Sequence, residues 1–212
     1  MFDLGASYHQ LTKQERGFSF SKEAPLDMRF NMDADFSAYD VINGYSENDL
    51  VRIFSEYGEE RFSKRIAKAI TEQRKLSPIK TTTELAELIV NSTPRVKSNI
   101  HPATRVFQAV RIEVNNELQN VKNTLNDVLD LLDFGAIMSV ISFHSLEDRV
   151  VKQVFKYHST RCHCEPNQMI CNCPPPILEI VNKKPIMATE QEISENPPSR
   201  SAKLRIAKCI RK

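Results

Sequence analysis

Glycine is scarce in this chain. There are five in 212 residues, far apart at Gly5, Gly17, Gly44, Gly58 and Gly135. That scatter excludes a G-x-G-x-x-G turn and a P-loop within these residues. No apolar run approaches the ~20 residues that a membrane-spanning helix needs. The opening MFDLGASYHQ lacks the basic stretch and apolar core of a secretory signal. Charge of one sign is also missing in bulk: 29 Lys and Arg against 27 Asp and Glu leave +2. So mild a balance does not mark a nucleic-acid binder, and the distribution of charge has to be read instead. What is present is a core-forming composition, 41% hydrophobic with 11 Phe. That excludes a disordered polymer and suffices for one sizeable core, or a core with a smaller satellite.

Cysteine is missing from most of the chain too. Four of five lie between Cys162 and Cys173, with Cys209 apart. A disulfide scaffold would spread them along a secreted chain. A local cluster without an export signal reads as reduced thiols or a metal site, and implies a cytoplasmic protein.

Phe2-Asp3-Leu4-Gly5 reads as the end of a buried strand entering a loop. Residues 12–36 hold little periodicity, yet carry aromatics and Met, which points to a functional loop. Ser46 reads as an N-cap, with Glu47 and Asp49 in the first turn and Leu50, Ile53, Phe54 and Tyr57 on one face. Gly58 is expected to break that helix. Phe62, Ile66, Ala69 and Ile70 form the next stripe. Thr81 to Glu84 supplies a capping box. Pro102 starts the strongest helix, whose apolar residues run from Phe107 to Val128 over roughly seven turns. The run Ala136 to Phe143 reads as a fully buried strand of a parallel sheet. Ser145 reads as the cap of a helix with Leu146, Val150, Val151, Val154 and Phe155 inward. Ile177–Val181 and Leu204–Ile210 are two further strands, separated by a linker over 185–198. The order implies an α/β sheet with an inserted helical domain.

Several residues are placed to carry chemistry. Asp3 stands at the carboxyl end of a strand, where open α/β sheets bind ligands; the alternative is a turn-forming Asp before Gly5. His144, Ser145, Glu147, Asp148 and Arg149 share that placement after the best strand. They read either as a site at a helix N-terminus or as cap and dipole partners. Adjacent His144 and Ser145 do not make a hydrolase, since no G-x-S-x-G surrounds them. Cys162, Cys164, Cys171 and Cys173 form two C-x-C pairs with His163 between, which could enclose one structural Zn²⁺; the alternative is free thiols. Arg61 to Lys80 holds seven Lys and Arg, and the stretch from Ser199 holds six without an acid. Both could meet phosphates, or be ordinary solvated faces.

Longer strings then bear on one another. Asp-Leu-Gly-Ala-Ser (3–7) with Gln-Leu (10–11), Glu-Arg-Gly-Phe-Ser-Phe (15–20), Pro-Leu-Asp-Met-Arg (25–29), Tyr-Gly-Glu-Glu-Arg (57–61), His-Pro-Ala-Thr-Arg-Val-Phe-Gln-Ala-Val-Arg-Ile (101–112), Val-Asn-Asn-Glu-Leu (114–118), Ile-Ser-Phe-His-Ser-Leu-Glu-Asp-Arg (141–149) and Ser-Ala-Lys-Leu-Arg (201–205) closely resemble the RsmH/MraW family. The resemblance spans essentially the whole chain. It implies an S-adenosyl-methionine-dependent methyltransferase acting on N4 of a cytidine in the decoding region of 16S ribosomal RNA, within the small ribosomal subunit and with no membrane partner. It implies a partial Rossmann-like methyltransferase sheet, strands 4 to 7, with an inserted all-helical domain. Residues 1–36 would then carry strand 4 and the active-site loop. The insertion would span 37–105, and 106–212 would carry strands 5 to 7 with the Cys-rich loop at 162–173. Asp3 and Gln10 match cofactor-contacting positions. Asp27, Arg29 and His144 are the catalytic candidates, and Ser145, Glu147, Asp148 and Arg149 match motifs lining the cleft.

The family pattern is not matched throughout. Its first three strands and Gly-rich cofactor loop have no counterpart here, and Phe134-Gly135-Ala136 stands where Pro-Gly-Gly is usual. The expectation is an inactive or nearly inactive chain by itself. The alternatives are an incomplete copy of a working enzyme, a half-enzyme needing a separate N-terminal half, and a non-catalytic rRNA-binding remnant.

Overall fold

Local signals set the first helices. In this computed structural model, which describes residues 1–5, 14–94, 100–164 and 171–211, Ser46 accepts a hydrogen bond from the Asp49 N–H and opens α2 (Glu47–Glu56), after α1 (Ala38–Gly44). Then come α3 (Ser63–Leu76), α4 (Thr82–Ser92), α5 (Ala103–Asn115), α6 (Glu117–Leu129), α7 (Ser145–Ser159) and α8 (Glu190–Glu195). Thr81 and Glu84 close a capping box at α4. The strands are β1 (Phe2–Asp3), β2 (Ile137–Ser142), β3 (Leu178–Ile180), β4 (Ile186–Met187) and β5 (Lys203–Cys209).

The chain divides into two compact units, one of Ala6–Glu117 and one of Met1–Gly5 with Leu118–Lys212. The first is helical. Its core joins α1 to α5 through Ile42, Leu50, Phe54, Ile66, Leu85 and Phe107. Gly58 lies at a close approach: a Cβ there would stand 2.7 Å from the carbonyl oxygens of both Phe54 and Arg105. The residue is thus a packing requirement as well as a helix stop.

The second unit carries the sheet, in the order β1-β2-β5-β3, with β4 also on β5. β1 runs parallel to β2, with Phe2 opposite Val140 and Asp3 opposite Ile141. β5 is antiparallel to both β2 and β3. Met138 and Val140 of β2 enter a core with Leu125, Phe155, Leu178 and Ala207.

Four local expectations change. The 102–128 helix is two helices, because Asn116 takes the left-handed conformation (φ 50°). Asn tolerates that region better than most residues, so the apolar period continues across the break. β2 alternates rather than being buried on both faces: Met138, Val140 and Ser142 are buried, while Ile137 is exposed. It belongs to a mixed sheet. His144, not Ser145, is the N-cap of α7. The 185–198 linker contains β4 and α8.

Candidate functional site

The loop at 25–29 is braced from several sides. Pro25 bridges to Thr81, and the Leu26 N–H donates to the Lys80 carbonyl. The Met28 N–H donates to Arg16 O, and the Ala38 N–H to Asp27 O at 2.7 Å. Met28 is fully buried yet has φ 59°. A bulky residue there costs of order 1–3 kcal/mol and persists only when its surroundings over-determine it. Asn115 does so directly. Its amide donates to Met28 O at 2.7 Å, and its Oδ1 accepts from the Phe30 N–H at 2.6 Å. Arg16 adds bonds to the carbonyls of Arg29 and Phe30.

That turn aims Asp27 and Arg29 at each other. Arg29 Nε and Nη2 donate to Asp27 Oδ1 and Oδ2 at 2.9 and 2.8 Å. The hydrogen bonds from Arg29 hold the Asp27 carboxyl below its ordinary value, against partial burial. With both oxygens engaged, Asp27 is an anchored anion and a weak proton acceptor. Gly17 (φ +67°) permits the neighbouring strand of loop to pass: a Cβ would stand 2.2 Å from Pro25 O. Neither Asn115 nor Gly17 has a role readable from spacing, although both lie inside the long motif strings.

In the sheet unit, the parallel pairing brings the carboxyl ends of β1 and β2 together, beside the N-terminus of α7. Asp3 is exposed there. The Leu4 N–H extends the ladder to Ile141 O, and Gly5 lies beside the Phe143 ring and Glu147. His144 Nδ1 accepts from the Glu147 N–H at 3.4 Å. Glu147 Oε2 accepts from the N–H groups of Phe143 and His144. The buried Nε2 of His144 faces Glu147 Oε1 at 3.2 Å without hydrogen-bond alignment. Burial opposes the charge of Glu147, but His144 and the two backbone N–H groups outweigh it and keep its carboxyl below the ordinary value.

The remaining candidates separate. Asp148 turns to Arg205 of β5, which grips both its oxygens at 2.6 and 3.0 Å. Arg205 is buried, so this member of the basic C-terminal stretch serves the fold. Ser145 and Arg149 are exposed near the start of α7. Gln10 lies outside the described residues. Arg74 is likewise structural, donating to the carbonyls of Ile42 and Tyr45. Arg61, Lys64, Arg65, Lys68, Lys75 and Lys80 remain exposed. The helical unit also holds a cavity of about 420 Å³ beside Phe20, Glu87, Asn91 and His101, where Phe20 stacks on His101 at 4.6 Å.

The four clustered cysteines converge, their sulfurs all within 4.8 Å of one another. Hydrogen bonding with Cys171, then with Cys173 and Cys162, pushes the Cys164 thiol up to about 12.

Comparison with known proteins covers the same span as the motifs. The model of the MraW methylase family matches residues 1–210. The Ribosomal RNA small subunit methyltransferase H of Caldicellulosiruptor bescii is 53% identical over 211 residues, 99% of this chain and 69% of that protein. The protein of that name from Clostridioides difficile is 48% identical over 98% of this chain and 68% of its own length. The one from Streptococcus dysgalactiae subsp. equisimilis is 49% identical over 100% and 68%. On the extent of these matches, the chain belongs to the MraW methylase family.

Proposed function

We propose that this chain takes part in S-adenosyl-methionine-dependent methylation of N4 of a cytidine in the decoding region of 16S ribosomal RNA, in the cytoplasm. The observation that carries the reading is near-half identity, over essentially the whole chain, to relatives that share one name. The geometry supports it. Two parallel strands end beside a helix N-terminus, the usual ligand position of open α/β sheets. The exposed Asp3 carboxylate fits a group that presents hydroxyls and cationic ends. Asp3, with Gln10 by resemblance, would hold the cofactor. Bound there, S-adenosyl-methionine supplies an already activated methyl group. The chain's share of the work is then alignment of the exocyclic amine, and positioning can supply most of the rate.

Asp27 and Arg29 act in this reading as a fixed pair that positions the substrate. The engaged oxygens of Asp27 make it a positioning residue rather than the acceptor of the amine proton. The exposed basic face of α3 meets RNA phosphates.

Deleting the gene tests the reading. Mass spectrometry of 16S rRNA fragments is expected to show loss of the N4-methyl mark in the decoding region, with return on complementation by the native gene but not by an Asp27→Ala, Arg29→Ala version. Persistence of that mark in the deletion strain would refute it. The purified 212-residue chain is expected to transfer no measurable methyl to small subunits, because these residues hold no Gly-rich loop for the cofactor. Radiolabelled methyl incorporation checks this directly.

A further inference from the structure

The connection from α7 to β3 spans residues 160–177 and has, among its described residues, no helix or strand. A connection of that length in a compact unit is uncommon and usually functional. Its base is closed by the Ile177 N–H donating to His158 O at 2.9 Å, and by the Ile210 N–H donating to Ile177 O. His163 does not enter the sulfur cluster with its ring; it stacks on Tyr157 of α7 at 4.3 Å. Among the described residues, the donors left in the cluster are four sulfurs from two C-x-C pairs.

Their arrangement is specific. The short contacts run across the loop, Cys164 Sγ to Cys173 Sγ at 3.5 Å and Cys171 Sγ to Cys162 Sγ at 3.7 Å. A tetrahedral Zn²⁺ with Zn–S near 2.3 Å places its sulfurs about 3.8 Å apart. Two backbone N–H groups already point at sulfur: His163 N–H to Cys173 at 3.1 Å and Cys164 N–H to Cys162 at 3.5 Å. Such bonds hold and stabilise thiolate ligands from outside the coordination shell. Cys209 is elsewhere, buried with its sulfur on Leu132 O.

We propose that Cys162, Cys164, Cys171 and Cys173 bind one Zn²⁺ tetrahedrally, and that the ion staples the α7–β3 connection. Four protein ligands fill the coordination shell, so the site is structural. Metal binding releases the thiol protons to solvent and forms four Zn–S bonds, with no change of oxidation state. The proposal is independent of the methyltransferase reading.

The test uses the full chain purified without chelator. Elemental mass spectrometry is expected to give one zinc per chain. Exchange for Co²⁺ is expected to give thiolate-to-cobalt charge-transfer absorption and the intense visible bands of a tetrahedral site. Cys162→Ser and Cys171→Ser should each lose the cobalt spectrum, and Cys209→Ser should keep it. Should the serine variants fail to accumulate, the wild-type cobalt spectrum decides. Less than a tenth of a zinc per chain with four reagent-accessible thiols would overturn the proposal. So would two disulfides, Cys162–Cys171 and Cys164–Cys173, in freshly isolated protein.

Discussion

At the scale of single residues, the strongest structural commitment is the left-handed Met28. Nothing in Pro-Leu-Asp-Met-Arg announces it, since Met rarely adopts φ near 59°. The conformation is held by Asn115, more than eighty positions away in sequence, which satisfies Met28 O and the Phe30 N–H with one amide. Removing that amide strands a carbonyl and an N–H in a partly buried loop. Asn115→Ala is therefore expected to cost about 1–3 kcal/mol. The loss should appear as a lower urea midpoint and faster amide exchange at Phe30. Gly17→Ala is expected to cost more than the ~1–2 kcal/mol of a left-handed L-residue. Its new methyl would also collide with Pro25 O, which is backbone and braced. Calorimetry of the pair of variants gives the order: Gly17→Ala melts below Asn115→Ala.

At the scale of elements, what depends on near neighbours was legible. The caps at Ser46 and at Thr81 with Glu84 lie where the short signals put them, because a cap is closed within four residues. The apolar stripes of α2, α3 and α7 face their cores for the same reason. Breaks and partners were less legible. The helix from 102 divides at Asn116 because that residue takes the left-handed conformation, while the apolar period of the sequence runs on across it. His144 replaces Ser145 as a cap because an imidazole nitrogen can accept the N3 N–H as an oxygen does. The burial of Arg205 against Asp148 could not be read from a basic tail, since it needs the register of β5 on β2. Of the candidate site residues, the motif strings supplied the names, and pairing geometry shows what two of them touch: Asp27 holds Arg29 and Asp148 holds Arg205. The break itself can be tested. Asn116→Gly is expected to change stability by less than about 0.5 kcal/mol, because Gly enters that region freely at an exposed position. Asn116→Val is expected to lose about 1–2 kcal/mol, because a β-branched residue does not. Denaturant midpoints of the two variants should separate accordingly.

At the scale of the whole molecule, acid should act on both units in the same direction. In the helical unit, Arg29 holds the Asp27 carboxyl below its ordinary 3.8, the Ser37 hydroxyl does so for Asp40, and the N–H groups of Lys80 and Thr81 hold Glu84 below 4.5. In the sheet unit, Glu147 is held below 4.5 by His144 and backbone N–H groups despite its burial. A carboxyl depressed in the folded state binds fewer protons than in the unfolded chain. Its stabilisation is complete above the ordinary value and is lost as pH falls through the folded one. His158 has the same sign by a different route. Burial, and then the charge of His163, lower it from 6.5, so the unfolded chain takes up that proton first. Stability is therefore expected to slip slightly below pH 6.5 and steeply below about pH 4.5, with no compensating rise. Asp40 and Glu84 are mostly solvated and screened, which leaves Asp27 and Glu147 as the main contributors. Urea midpoints at pH 7, 5.5 and 3 check the profile. Asp27→Asn should flatten the lower limb by removing a group that must otherwise protonate. A midpoint that stays level from pH 7 to 3 in the native chain would show that these carboxylates are no better held in the folded state than in the unfolded one.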